Sequence, residues 1–372
     1  MRSTIKVLPS RAANLGIIQL NHPKALHALN LEMIECLQDV LAEWVKDSSM
    51  KAILLKANNE EAKRPAFCAG GDVKAVWEKG QAKDPATSQF FYQEYKVNHA
   101  IATCQKPIVS FWDGVVMGGG VGISVHGKYR VATEHTLFAM PETAIGLFPD
   151  VGSMYWMPRL LSMPVARYLA LTGQRIKAPD LIYTGLATHY VPSKNLPDLE
   201  KALIEATKDS SDEGDVAGDV LTSFHEDIPT DDCHLVQYQS DIDIYFENGT
   251  VEDIFQALAE SSDDNDFAGK TLASLRKLSP TSIKVSMEGL KRGAAASSIG
   301  EDLQMEYRMA RACTLPGADF FEGVRAVLVD KDHAPRWSPA TVEEVSDERV
   351  EEFFAPISEE WPIPPSAGQS KL

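Results

Sequence analysis

Glu142 and Asp150 stand eight residues apart, each directly after a proline, in a segment that opens with the triple glycine Gly118-Gly119-Gly120. A carboxylate held against a ligand can serve as base, nucleophile or acid. Glycines let a ligand lie directly on backbone N–H groups, because no Cβ intervenes. A second glycine turn, Phe67-Cys68-Ala69-Gly70-Gly71-Asp72, lies upstream. N–H groups from two separate turns are what stabilisation of an oxyanion requires. Either cluster alone reads as a tight turn. The two together, followed by Pro141-Glu142 and Pro149-Asp150, point to a catalytic site.

Other nucleophiles and ligands have less support. Cys68 lies in the first glycine turn but has no histidine near it in sequence, so a small buried cysteine is the simpler reading. His126, His135 and His189 have no Ser or Cys nucleophile in a triad setting and read as structural or surface residues. No ligand spacing supports a metal site. Neither glycine turn carries Gly-x-Gly-x-x-Gly between a strand and a helix, which excludes a dinucleotide fingerprint.

The elements that must position these residues alternate. Ile17–Leu20 reads as a strand. Asn30 caps a helix whose apolar face is Met33, Ile34, Leu37, Val40, Leu41 and Trp44. Ala52–Leu55 is a buried strand leading to the first glycine turn, and residues 88–103 read as a helix. Ile108–Phe111 is a strand before the second glycine cluster. Gly119–His126 starts a helix whose amides point at the ligand, and Tyr129–Ala132 is a further strand. This order is an α/β pattern that can stack as a spiral. Acidic, polar stretches at 207–219 and 261–266 read as solvated loops, and 272–330 reads as mostly helical. The expected organisation is an α/β core over 12–205, a helical C-terminal region over 206–345, and a tail over 346–372.

Bulk properties bound the partners. The 372 residues are 44% hydrophobic with a net charge of −17. That charge excludes a nucleic-acid partner, and a phosphate-bearing ligand must meet a local basic patch. No apolar run approaches the roughly 20 residues of a membrane span. The five cysteines include no Cys-x-x-Cys pair, which fits a reducing compartment rather than a disulfide framework. The first eleven residues carry Arg2, Lys6 and Arg11 and no acid, a weak transit-peptide composition. The chain ends in Ser370-Lys371-Leu372, which reads as a peroxisomal address recognised by an import receptor; the mitochondrial matrix is the alternative.

Several segments resemble a known family. They include Asn21–Leu26, Ala66–Asp72, Gln105-Lys106-Pro107, Met117–Asp150, Glu306-Tyr307-Arg308 and Phe321–Ala326. The chain resembles the crotonase (enoyl-CoA hydratase/isomerase) superfamily over about residues 15–340, and within it the 3-hydroxyisobutyryl-CoA hydrolases. The resemblance implies a spiral of ββα turns with a helical C-terminal region, and an oxyanion hole made by the amides of Gly71 and Gly119. Hydratases of the family use two glutamates; the first falls here on Gly122, and only the second, Glu142, is kept. That departure favours hydrolysis over hydration. The resemblance makes Glu142 the nucleophile or the activator of water, with Asp150 assisting. It places Glu94 against the substrate and the coenzyme A adenine near the backbone of Ala69–Val73. Lys24 and Lys74 are its candidates for the phosphates, or solvated lysines. Coenzyme A is then part of the substrate, not a cofactor, and a homo-oligomer is possible for this superfamily. The implied activity is cleavage of 3-hydroxyisobutyryl-CoA in valine breakdown. An enoyl-CoA isomerase and a non-catalytic assembly component are the competing readings.

Overall fold

The computed structural model describes residues 7–60, 62–208, 215–231, 233–247 and 249–363. Its strands are β1 (Val7–Ala12), β2 (Leu15–Leu20), β3 (Ala52–Ala57), β4 (Ala66–Cys68), β5 (Ile108–Trp112), β6 (Val115–Met117), β7 (Tyr129–Ala132), β8 (Leu137–Ala139), β9 (Ile176–Lys177) and β10 (His189–Tyr190). They form a six-stranded sheet ordered β1-β2-β3-β5-β7-β10 and a four-stranded sheet ordered β4-β6-β8-β9. Only the β1–β2 and β8–β9 pairs are antiparallel.

The spiral follows from that order. β3 and β4, β5 and β6, and β7 and β8 each contribute one strand to each sheet before the chain moves on. The central strands β3 and β5 are buried over most of their length, Ser110 of β5 included, because both sheet faces are covered. On one face lies α1 (Leu31–Lys46), whose first turn is capped by the Asn30 side chain accepting from Met33 N. Its apolar stripe ends in Trp44, and the Trp44 ring fills the space that a Cβ at Gly16 of β2 would occupy. On the other face the helices Leu196–Lys208 and Val216–Phe224 close over Ile17, Leu54 and Val109.

Three further helices frame the glycine turns: α2 (Val73–Gln81), α3 (Gln89–Thr103) and α4 (Gly119–Gly122). The helix expected over 119–126 stops at Gly122. Ser124 Oγ donates back to the Gly120 carbonyl at 2.7 Å, which competes with continuation of a glycine-rich helix. β1 was not expected; its outer residues are exposed and polar, so it lacks the alternation that marks a half-buried strand.

The region beyond residue 205 is helical, with α5 (Ser153–Leu160) and α6 (Met163–Thr172) preceding it. Residue 205 lies inside the Leu196–Lys208 helix. The main buried cluster runs from Val7 through Leu290 and Leu303 to Trp361. The Pro280–Ala295 helix packs on α5, and the Ile299–Cys313 helix packs on α3. The segment from 346 carries the helix Asp347–Glu352 and buries Phe353, Phe354 and Trp361. Trp361 Nε1 donates to the Tyr92 carbonyl at 3.2 Å, and Gln304 Nε2 donates to the Trp361 carbonyl at 2.9 Å. No helix of the described residues is long and apolar enough to cross a membrane.

Truncating a fully buried tryptophan costs about 3–5 kcal/mol. Trp361→Ala is therefore expected to lower the thermal midpoint of the whole chain in one transition by calorimetry. A separate low-temperature transition, with the main one unmoved, would mean that the C-terminal segment is not part of the common core.

Candidate active site

Three strand ends build the site. β4, β6 and β8 are parallel neighbours, so their C-terminal ends lie side by side. The chain leaves β4 into Ala69-Gly70-Gly71, β6 into Gly118-Gly119, and β8 into Met140-Pro141-Glu142. Ligands of parallel sheets bind at such carboxyl ends.

The glycine turns need glycine. Gly70 and Gly118 have φ of +108° and +47°. A Cβ on Gly118 would stand 2.7 Å from Glu142 Oε1. A Cβ on Gly119 would stand 3.2 Å from Gly71 N and collide with Glu94 Oε1. The two turns and two of the acids therefore converge on one spot. Leu29 N donates to Gly70 O at 2.8 Å and Asp72 N to Leu29 O at 2.7 Å, which anchors the first turn on both sides of Gly71. Among the described residues, neither the Gly71 nor the Gly119 N–H has a protein acceptor.

A cavity of about 450 Å³ opens there. Its wall includes Gly71, Gly119, Glu142, Asp150, Glu94, Ala69, Val73 and Lys74. Lys24 is not part of it; it is exposed on the short turn Pro23–Ala25. Sequence reasoning missed Lys331, which lines the cavity with Val327 and Leu328. Nothing in the sequence around Lys331 says that the chain returns to this mouth. Arg325 folds it there, donating to Glu322, Asp330 and Asp332 at 2.6–2.9 Å.

The acids are buried: Glu94 is 2%, Asp150 4% and Glu142 6% exposed. Burial, and next the charge of Asp150, raises Glu142 well above the ordinary carboxyl range. Burial, then Asp150 and Glu142, does the same to Glu94. Asp150 is pushed up by burial to about 7, although the Tyr95 hydroxyl opposes this by donating to Asp150 Oδ2 at 3.0 Å. Glu142 Oε2 and Glu94 Oε1 have no hydrogen-bond partner among the described residues. Unpaired, desolvated carboxyls beside open N–H groups are placed to exchange protons with a bound ligand and, once ionised, to attack its carbonyl carbon.

The other candidates are occupied elsewhere. Cys68 is fully buried and its thiol is pushed up to about 12 by burial, so it is no thiolate. His126 Nε2 donates to the Val151 carbonyl at 2.8 Å, and His135 Nδ1 meets Asp113 at 3.0 Å. His189 Nδ1 pairs with the Thr188 hydroxyl at 2.9 Å. None of the three histidines lines the cavity. At Gly122 a Cβ would lie 2.5 Å from Val151 Cβ and 2.9 Å from Asn98 Nδ2. A glutamate has no room there.

The enoyl-CoA hydratase/isomerase family profile matches residues 15–354, and the chain belongs to that family. It is 46% identical to the chicken 3-hydroxyisobutyryl-CoA hydrolase, mitochondrial, over 95% of this chain and 90% of that one. The human protein of the same name is 44% identical over 94% of this chain and 88% of its own length. Among solved structures, a carnitinyl-CoA dehydratase from Mycobacterium thermoresistibile superposes with a TM-score of 0.87 at 35% identity, covering 97% and 99% of the two chains. An enoyl-CoA hydratase from Rhodobacter sphaeroides 2.4.1 gives 0.83 at 35% identity, covering 95% and 98%. The α/β spiral expected from the sequence is the fold observed.

The expectation of a peroxisomal address is corrected by the same relatives. The chicken, zebrafish and human proteins are all named as mitochondrial, which favours that compartment over the peroxisome. Ser370, Lys371 and Leu372 lie outside the described residues. A three-residue ending is a short address that an unrelated terminus can match.

Two outcomes follow from the packing. Gly122→Glu is expected to lose soluble, folded protein and to gain no hydration of crotonyl-CoA, measured by absorbance at the enoyl band; a folded variant that hydrates would contradict the steric reading. The raised Glu142 makes its ionisation unfavourable for the fold, so stability is lost as pH rises through its elevated value. Glu142→Gln removes that loss. Its thermal midpoint is expected to match wild type near pH 4, below the ordinary carboxyl value, and to exceed it by about 2 °C or more at pH 8, read by scanning calorimetry.

Proposed function

We propose that this chain hydrolyses acyl-CoA thioesters, with 3-hydroxyisobutyryl-CoA as its substrate and 3-hydroxyisobutyrate and coenzyme A as products, in valine catabolism. One observation carries this reading: the buried, unpaired Glu142 carboxyl faces the open amides of Gly71 and Gly119, while Gly122 leaves no room for a second glutamate. Hydration of an alkene needs water activated and a proton delivered to the α carbon, which a lone carboxyl in this setting does poorly. Thioester cleavage needs a nucleophile at the carbonyl carbon and stabilised negative charge on its oxygen.

The substrate carbonyl oxygen sits between the two N–H groups, where one such donor is worth about 3 kcal/mol of barrier. Glu142 either attacks the carbon directly, forming an anhydride that water opens, or removes a proton from an attacking water. The coenzyme A thiolate leaves and takes a proton from Asp150, which Tyr95 orients through its 3.0 Å bond. Asp150 also positions the 3-hydroxyl, and Glu94 contacts the substrate from the same cavity wall. Lys74 and Lys331 at the cavity mouth supply positive charge for the phosphates of an otherwise acidic protein. Coenzyme A enters as part of the substrate, and no separate cofactor is needed.

Thiol release from 3-hydroxyisobutyryl-CoA tests the proposal, with crotonyl-CoA as the second substrate. Wild type is expected to release thiol and leave crotonyl-CoA unhydrated. Glu142→Gln is expected to lose ~10²–10⁴-fold in kcat while binding coenzyme A as before. Hydration of crotonyl-CoA without thiol release would move the assignment to the chemistry named for the solved relatives. The rate should rise with pH through a value above the usual carboxyl range, as Glu142 ionises. Asp150→Asn removes a charge that raises Glu142 and should move that rise to lower pH.

A further inference from the structure

Behind the cavity the turn after Asp150 has an unusual backbone. Val151 and Gly152 both lie in the left-handed region, at φ +58° and +82°. For a β-branched residue that conformation is strained and must be held by its surroundings. Gly152 caps α5 but offers no side chain to do so. A Cβ at that position would stand 2.7 Å from His126 Cε1 and 2.8 Å from Ile299 Cδ1. The helix therefore needs its cap from another part of the chain.

Glu306 supplies it. This residue sits on the Ile299–Cys313 helix and is fully buried. Its Oε2 accepts from Gly152 N at 2.6 Å, and its Oε1 accepts from Met154 N at 3.1 Å. Both bonds favour the charged form and suit the positive end of α5. One turn earlier on the same helix, Asp302 is fully buried with neither oxygen hydrogen-bonded among the described residues. Two carboxyls so close and so desolvated hold one proton between them. Burial, then the charges of Asp302 and Asp150, raise Glu306 well above the usual carboxyl range, and its two N–H donors oppose that shift.

The groups facing this pair come from several elements. Asp150 and, beyond it, Glu142 and Glu94 lie on the cavity side; Tyr95 and His99 come from α3. His126 holds the Val151 carbonyl, and Arg159 of α5 is the nearby cation that favours charge on Asp302. A surface charge network would be screened, but this one lies within the core.

Resting on the proposed hydrolase reading, we propose that Glu306 is the positioning residue of Asp150: through the N–H groups of Gly152 and Met154 it holds the strained turn that aims Asp150 into the cavity.

Glu306→Gln tests this. The amide can accept only one of the two N–H bonds, and it carries no charge. The expected kcat for thiol release falls ~10–100-fold, with KM within about twofold of wild type. Hydrogen exchange at Gly152 and Met154 should speed up, a readout that needs no turnover. Wild type that releases no thiol fails the hydrolase reading alone, and exchange still judges Glu306. Unchanged exchange, or in an active enzyme an unchanged kcat, overturns the proposal. If Glu306→Gln does not fold, Glu306→Asp serves: its shorter carboxylate draws back from Gly152 and Met154, and exchange at both amides is expected to speed up with a similar fall in kcat. Unchanged exchange in that variant also overturns the proposal.

Discussion

Two backbone N–H groups from different turns must point at one spot, and a carboxyl must reach the same spot without being solvated. Most of the architecture answers that demand. Adjacent parallel strands are the simplest way to bring three chain segments, far apart in sequence, to within a few ångströms with their ends aligned. β4, β6 and β8 do this, and the residues that leave them are glycine, glycine and glutamate. A side chain at Gly118 or Gly119 would run into the acids themselves. The absence of a Cβ at these positions makes room for the chemistry.

The second consequence is electrostatic. Water excluded from the cavity strengthens every dipole aimed at the developing oxyanion, and the same exclusion makes the free acids costly. Glu94, Glu142 and Asp150 are all pushed up by burial. The fold tolerates this because the neighbouring groups are organised: Tyr95 donates to Asp150, and backbone N–H groups engage Glu306. The turn after Asp150 is pinned by His126, Ser153 and Glu306 from three directions. The strain stored at Val151 is thus borne by a buried polar framework rather than by the loop itself.

The C-terminal helices belong to this arrangement. They carry Glu306 to the back of the site and Lys331 to its mouth, and they share one buried cluster with the first strands. An acidic protein that takes a phosphate-bearing ligand needs such local cations, since its overall field repels the ligand. Similarity to vertebrate 3-hydroxyisobutyryl-CoA hydrolases and to solved hydratase-type structures extends over nearly the whole chain, C-terminal helices included.

Much of the site could be read from residues close together in sequence. The glycine turns, Pro141-Glu142 and Pro149-Asp150 announce themselves because glycine and proline restrict what the backbone can do locally. The alternation of strands and helices was equally legible in the apolar periodicity of α1 and the apolar run Ala52–Leu55 of β3. Gly122 spoke against hydration by residue type alone, but only packing against Val151 and Asn98 made it a steric exclusion. Lys24 and Lys74 were indistinguishable in sequence; the fold lined the cavity with one and left the other on an exposed turn. Glu306, Tyr95 and Lys331 have no local signal of their roles, since an acid, a phenol or an ammonium takes its function from what faces it. Sequence alone determined which backbone turns could form and which side chains could react. The tertiary structure decided which acids lose their water and which amides stay open, because burial and convergence arise only when distant segments pack.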